Sequence, residues 1–215
     1  MLWRNWRSNF RSYFPLYVAI FFAEPRQKMI STSIGAKKNE QMNITLETDR
    51  LILRDLRLSD AESFFAMDSN PSVHKYLWNK PTQKIEETIE IIEFVRKQYI
   101  DNGIGRFAII SKETNEFIGW AGLKYNTEMV NNKVNFYDIG YRLDEKFWGK
   151  GYASETTCAW LNYGFETMNI KILEEAAHTE NAASNRILQK IGMQMTEQYL
   201  EDGVSWNWYQ LENNL

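Results

Sequence analysis

Apolar and polar residues alternate through NITLETDRLILRDL (residues 43–56), around Leu51, Leu53 and Leu56, and this period predicts a strand. Ser59, with Glu62 three residues on, has the form of a capping box, and AESFFAM predicts a short helix behind it. Thr82 is placed to cap a longer helix over QKIEETIEIIEFVRKQYI, where Ile85, Ile89, Ile92 and Val95 recur at helical spacing. The period then shortens. GRFAIIS and EFIGWAGLKY are apolar runs joined at Lys112–Asn115, which predicts a hairpin, and after a turn at NNKV the run NFYDIGYRL predicts a neighbouring strand. Helical spacing returns from Ala153 to about Met168, and KILEEAAH reads as a strand beyond it. Asn181 opens another helix, which runs through Lys190 and stops at Gly192. MQMTEQYL and SWNWYQLE close the chain as a hairpin across Asp202–Gly203.

A meander followed by βα units predicts a mixed α/β sheet, mainly antiparallel and then βαβα, with helices on both faces. The first forty residues do not join this pattern. MLWRNWRSNFRSYFPLYVAIFFAEP is basic and aromatic, and its apolar run from Phe14 to Ala23 is shorter than the roughly 20 residues that span a bilayer. Arginines ahead of an apolar core have a signal peptide's order, yet no small-x-small cleavage pattern follows. Three readings stay open: a disordered or surface-bound extension, a weak targeting segment, and a start assigned too early, since Met42 directly precedes the first strand pattern. The expected division is residues 1–41 as a poorly ordered extension or misassigned start, and 42–215 as one domain.

Composition narrows the function classes. A net charge of −3 gives nucleic-acid binding no support. The single cysteine, Cys158, cannot form an internal disulfide and fits a cytoplasmic setting. Recurring with Leu161 and Phe165 at core spacing, it is expected to be buried and inert. Two histidines, His74 and His178, make no zinc spacing, and no metal is expected.

Within EKFWGKGYASET (145–156), Gly149 and Gly151 flank Lys150 immediately before a helix. Glycine lets a ligand approach the backbone, and a helix's first turn leaves N–H groups unpaired, so the stretch predicts an anion cradle, phosphate foremost. A P-loop needs four residues between its glycines and then Lys-Ser/Thr, which are missing. A dinucleotide fingerprint comes closer, with Gly149, Gly151 and Ser154 at its three glycine positions and Glu174 near its acid. Against it, DEKFW separates Leu143 from Gly149, and most of the sheet precedes the turn.

From about Thr45 onward the chain resembles GNAT acetyltransferases of the RimJ/RimL type. WGKGYASET is similar to that subgroup's Trp-Gly-x-Gly-Tyr-Ala form of the acetyl-CoA signature. NAASNRILQKIGM is similar to Asn-x-x-Ser-x-x-x-Leu-x-Lys-x-Gly-Phe, from Asn181 through Ser184, Leu188, Lys190 and Gly192, with Met193 in place of Phe. ETDRLILRDLRLSDAESFF looks like the subgroup's opening. The resemblance implies a GNAT-type acyl-CoA N-acyltransferase fold in which the DIGYRL strand splays from KILEEAAH and the pantetheine arm lies in the gap. It implies an acetyl-CoA-dependent N-acetyltransferase. Tyr141, Leu143, Trp148, Gly149, Lys150, Gly151, Tyr152, Ala153, Asn181 and Ser184 are then the cosubstrate's contacts, with the backbone N–H groups from Gly149 to Ala153 on the pyrophosphate, Asn181 on the arm, and Lys150 either adding charge at the phosphates or simply solvated. Asn181 fits equally well as a helix N-cap.

The resemblance also implies direct attack of a neutral amine on the thioester, with no acyl-enzyme. A protein N-terminal amine, with a pKa of about 7.7–8.0, needs less help than a lysine at about 10.4. Asp138 stands where the subgroup often has Glu and is the candidate base, directly or through water; a buried structural aspartate is its rival reading. Ser184 is the first candidate donor to the leaving thiolate, against a first-turn hydroxyl serving only the backbone, with Tyr141 and Tyr152 behind it. N–H groups beside YRL polarise the thioester carbonyl. HKYLWNKPTQ lies where the family builds its acceptor wall, so Tyr76 and Trp78 are candidate acceptor contacts or else core aromatics. The implied partners are acetyl-CoA and an amine, on a protein N-terminus or a small molecule, with no nucleic acid and no membrane span. The protein is expected to act as a monomer or homodimer. A non-catalytic CoA- or peptide-binding module on the same fold is the rival from another class.

Overall fold

The computed structural model describes residues 44–213, so the expectations for residues 1–41 lie outside the described residues. The stretch read as one opening strand is two, β1 (Leu46–Glu47) and β2 (Leu51–Arg54), paired across a tight turn. Helices α1 (Ala61–Asp68), α2 (Pro71–His74) and α3 (Ile85–Asn102) follow, then the meander β3 (Arg106–Ser111), β4 (Phe117–Asn126) and β5 (Phe136–Leu143). The remainder is α4 (Tyr152–Asn162), β6 (Ile172–His178), α5 (Ala182–Lys190), β7 (Gln194–Glu201) and β8 (Val204–Glu212). All strands join one eight-stranded sheet in the order β1-β2-β3-β4-β5-β6-β8-β7. Each neighbouring pair is antiparallel apart from β5 and β6, which gives the expected mixed α/β sheet.

Alternation along the central strands divides the buried residues by chemistry. Phe107, Ala121, Leu123, Ile139 and Leu143 pack with Trp160 of α4 into the apolar core. The positions between them carry buried charge. Arg106 and Arg142 lie 5.5 and 5.1 Å from the Trp120 ring centre, and Arg142 donates to Asp68 of α1 at 2.9 Å. Helices therefore cover both faces, α4 over the apolar one and α1 over the charged one.

Three local expectations are corrected. The Ser59–Glu62 box does not form, because Ser59 sits inside the 3₁₀ turn Leu58–Asp60. Asp60 takes over there, accepting from the Arg57 N–H at 2.9 Å and gripping the Arg54 guanidinium at 2.8 Å. Thr82 is buried with its N–H on the Asp68 carbonyl at 2.9 Å, and α3 starts after Lys84 instead. Cys158 is exposed. The buried stripe of α4 runs through Ala153, Thr156, Thr157 and Trp160, and about 100° per residue then turns position 158 outward.

The feature that positions the site is the parallel pair. β5 and β6 register only at Tyr137–Leu173 and Asp138–Glu174, after which β5 continues to Leu143 and β6 to His178 without pairing to each other. A cleft opens between them, and the connection after β5 turns at its mouth.

Candidate active site

The polypeptide leaves β5 through a 3₁₀ turn, Glu145–Phe147, capped by Asp144. Trp148, half-exposed, donates its indole N–H to the Leu143 carbonyl at 2.9 Å, so the residue starting the glycine turn is tied to the end of the strand. Gly149 and Gly151 have φ of 73° and 82°, left-handed values that other residues adopt only with strain. Helix α4 opens at Tyr152 with Gly151 as its cap residue and no side-chain cap. The N–H groups from Gly149 to Ser154 find no acceptor among the described residues, and none of these residues beyond Gly149's own chain neighbours comes within 4 Å of where its Cβ would stand. An open row of donors at a helix start is built for an anion. The Lys150 ammonium lies 5.3 Å from the Phe147 ring centre.

Sequence reading missed what fastens this turn. Arg50, in the turn before β2, donates to Glu155 through Nε at 2.7 Å and to the Lys150 carbonyl at 3.0 Å, and lies 4.4 Å from the Tyr152 ring centre. Thr48 donates its hydroxyl to Glu155 at 2.6 Å. Burial acts to raise the Glu155 pKa, but these bonds outweigh it and hold the carboxyl below its usual value.

Across the cleft, Tyr141 of β5 and Ser184 of α5 place their hydroxyls 3.1 Å apart. Asn181 caps α5 by accepting from the Ser184 N–H at 3.1 Å, which is its structural role; its side-chain N–H₂ makes no hydrogen bond among the described residues. Burial raises Tyr141 well above a tyrosine's ordinary pKa, the Ser184 bond opposes this, and the Glu175 carboxylate adds to it. Tyr141 and Ser184 are thus brought together, and Glu175 acts on the same group.

Asp138 is buried at the point where the strands part. One of its oxygens is ion-paired with Arg106 and the other accepts from Asn126 at 3.0 Å. Arg106 also donates to the Gly122 carbonyl and lies flat on Gly140, where a Cβ would stand 2.7 Å from Nη2. The rival reading of Asp138, a hydrogen-bonded structural residue, matches this surrounding. Next to it on β6, Glu175 has a buried Oε2 with no hydrogen-bond partner among the described residues. Burial, and secondarily the Asp138 charge, push its pKa up to about 8, with Arg106 opposing. Lys124, the β4 partner of Asp138, is shifted the other way, burial lowering it and Asp138 raising it. Two adjacent glutamates within the apolar run ILEEAAH, and Arg106 heading the apolar strand RFAIIS, were the available signals for this charge cluster.

At the far end of β6 the two aromatic candidates meet residues that had not been singled out with them. Tyr76 lies 5.3 Å from the His178 ring centre and Trp78 5.6 Å from Trp206, which is itself 5.6 Å from His178. His178 accepts the Glu180 N–H on Nδ1 at 3.0 Å, so a neutral ring carries its proton on Nε2. The cluster joins the loop after α2 to β6 and β8, beside the cleft.

Residues 50–194 match the family described as acetyltransferase (GNAT) domain. The chain is 33% identical over 150 residues to the uncharacterized N-acetyltransferase p20 of Bacillus licheniformis, covering 70% of this chain and 82% of that one. It is 35% identical over 149 residues to the uncharacterized N-acetyltransferase YoaA of Bacillus subtilis strain 168, covering 69% and 82%. Its fold is similar to that of RimL, a ribosomal L7/L12 alpha-N-protein acetyltransferase solved with coenzyme A: TM-score 0.64, 21% identity, 77% of this chain and 95% of that chain covered.

Proposed function

The chain belongs to the GNAT acetyltransferase family and is an N-acetyltransferase; on that premise we propose that it moves an acetyl group from acetyl-CoA directly to a primary amine, on a protein N-terminus or a small molecule. The observation that carries this reading is the row of open N–H groups from Gly149 to Ser154 at the mouth of the β5–β6 cleft. These residues suit a pyrophosphate, and the unpaired edges of β5 and β6 suit the amide groups of the pantetheine arm, with the Asn181 side chain beside them. When bound, acetyl-CoA supplies an activated acyl group on sulfur. The amine nitrogen attacks its carbonyl carbon, the N–C bond forms, the C–S bond breaks, and sulfur leaves with the electron pair.

The chain's own residues handle two protons. Ser184, hydrogen-bonded to Tyr141, donates one to the departing sulfur and is reprotonated from solvent through the tyrosine hydroxyl, while the proton taken from the amine is returned to solvent. We assign the other to Glu175 in place of Asp138, whose oxygens are occupied by Arg106 and Asn126. An acceptor near pKa 8 is matched to an α-amine of about 7.7–8.0. Asp138 then acts as the charge that raises Glu175. The wall of Tyr76, Trp78, His178 and Trp206 is where we place the acceptor, and its aromatic faces fit a cationic amine arriving from solvent.

Calorimetry and turnover against a panel of amines test the reading together. Acetyl-CoA should bind and NAD should not, and at least one amine should be acetylated. Equal binding of NAD would return the turn to a dinucleotide site. Binding without turnover of any peptide or small amine would leave a CoA-binding module.

A further inference from the structure

We propose that Arg50 is a positioning residue for the cosubstrate's pyrophosphate, acting on the glycine turn from a loop about a hundred residues earlier in the chain; this rests on acetyl-CoA occupying that turn. Each nitrogen of the guanidinium has a protein partner. Nε donates to Glu155 at 2.7 Å, Nη2 pairs with the same carboxylate at 2.6 Å, and Nη1 donates to the Lys150 carbonyl at 3.0 Å. The Arg50 backbone N–H and the Thr48 hydroxyl bind Glu155 Oε1 at 3.1 and 2.6 Å, so the carboxylate is held from two directions.

Two consequences follow for an anion. A trans peptide points its C=O and N–H in opposite directions, so holding the Lys150 carbonyl toward Arg50 aims the Gly151 N–H away from it, into the open row of donors. Glu155 in the first turn of α4 suits the helix dipole but repels a bound diphosphate, and Arg50 neutralises it. The Arg50 side chain is 47% exposed, so this ion pair contributes little to folding. Its effect is on where the turn's N–H groups point.

The test separates positioning from bulk stability and from charge. Coenzyme A binding is measured by calorimetry for wild type, Arg50→Ala, Arg50→Lys and Glu155→Gln, with melting temperatures recorded beside it. Turnover is compared between acetyl-CoA and S-acetylpantetheine, which lacks the pyrophosphate. Arg50→Ala should weaken coenzyme A about tenfold or more, in line with loss of a multidentate charge-assisted clamp, raising KM for acetyl-CoA more than it lowers kcat. Its kcat/KM with S-acetylpantetheine should match wild type. Arg50→Lys keeps the charge but not the fork, and should recover only part of the affinity. Glu155→Gln removes a negative charge beside the phosphates, so an effect of charge alone would tighten binding, whereas a loosened clamp weakens it. Weaker binding in Glu155→Gln supports the proposal even if Arg50→Ala fails to fold. Unchanged or tighter coenzyme A binding in Glu155→Gln, full recovery by lysine, or equal losses with both acyl donors would overturn it. Wild-type protein that does not bind coenzyme A would instead remove the premise.

Discussion

At the scale of single residues, the assignment of Glu175 over Asp138 makes the two carboxylates behave differently when neutralised. Glu175 accepts a proton only when ionised, so with the amine saturating, wild-type kcat should rise as pH passes through about 8. Glu175→Gln should leave only the amine's own titration, with a defect small at pH 6 and at least about tenfold at pH 9. Asp138→Asn should keep the inflection and move it to lower pH, because the Asp138 charge raises Glu175 while the unmasked Arg106 lowers it. If Asp138 were the base, Asp138→Asn would carry the loss of turnover at high pH and Glu175→Gln would leave the rate near wild type. Ser184→Ala should slow turnover by roughly tenfold to a hundredfold, about 1.4–2.7 kcal/mol of barrier, with coenzyme A affinity unchanged. Normal turnover in that variant would mean the thiolate departs without a donor.

At the scale of elements, the glycine turn was legible because its chemistry is local. Two left-handed glycines and a helix start sit within a few residues, and Gly151→Asp tests them as a unit. Aspartate tolerates φ of 82° better than most residues, and its Cβ would stand 3.4 Å from Arg50 Nη2, so the fold should survive. Its carboxylate beside the phosphates should abolish detectable coenzyme A binding by calorimetry. Retained binding at an unchanged melting temperature would place the cosubstrate elsewhere. The meander, the last hairpin and α5 were legible for the same local reason, a period and a turn signal each. The caps were not, since Thr82 gives its N–H to the Asp68 carbonyl and Asp60 binds the Arg54 guanidinium from the turn that contains Ser59. Cys158 was misjudged because Ala153, Thr156 and Thr157 are small and weakly apolar, leaving Cys158, Leu161 and Phe165 as the more conspicuous stripe. Arg50 and Glu155, 105 residues apart, carry no signal that spacing can show.

At the scale of the whole molecule, the cleft is held open by what lies on both sides of the sheet. Arg106 fills the charged face against Asp138 and Gly140, Trp160 fills the apolar face, and the α5 cap places Ser184 opposite Tyr141. Each of these contacts, and the Arg50 clamp with them, joins residues between Thr48 and Glu212. We therefore expect a chain shortened to begin at Met42 to fold and to bind coenzyme A as the full chain does. Its melting temperature should lie within a few degrees of the full chain's, since a shift of about 1 kcal/mol moves a domain of this size by roughly 2–4 °C. Its affinity for coenzyme A should agree within about twofold, under 0.5 kcal/mol. Differential scanning calorimetry and titration of the two chains side by side decide the matter. A large fall in melting temperature would make residues 1–41 part of the folded domain. A shortened chain with normal stability and altered amine preference, but normal coenzyme A affinity, would instead locate the opening segment at the acceptor side of the cleft.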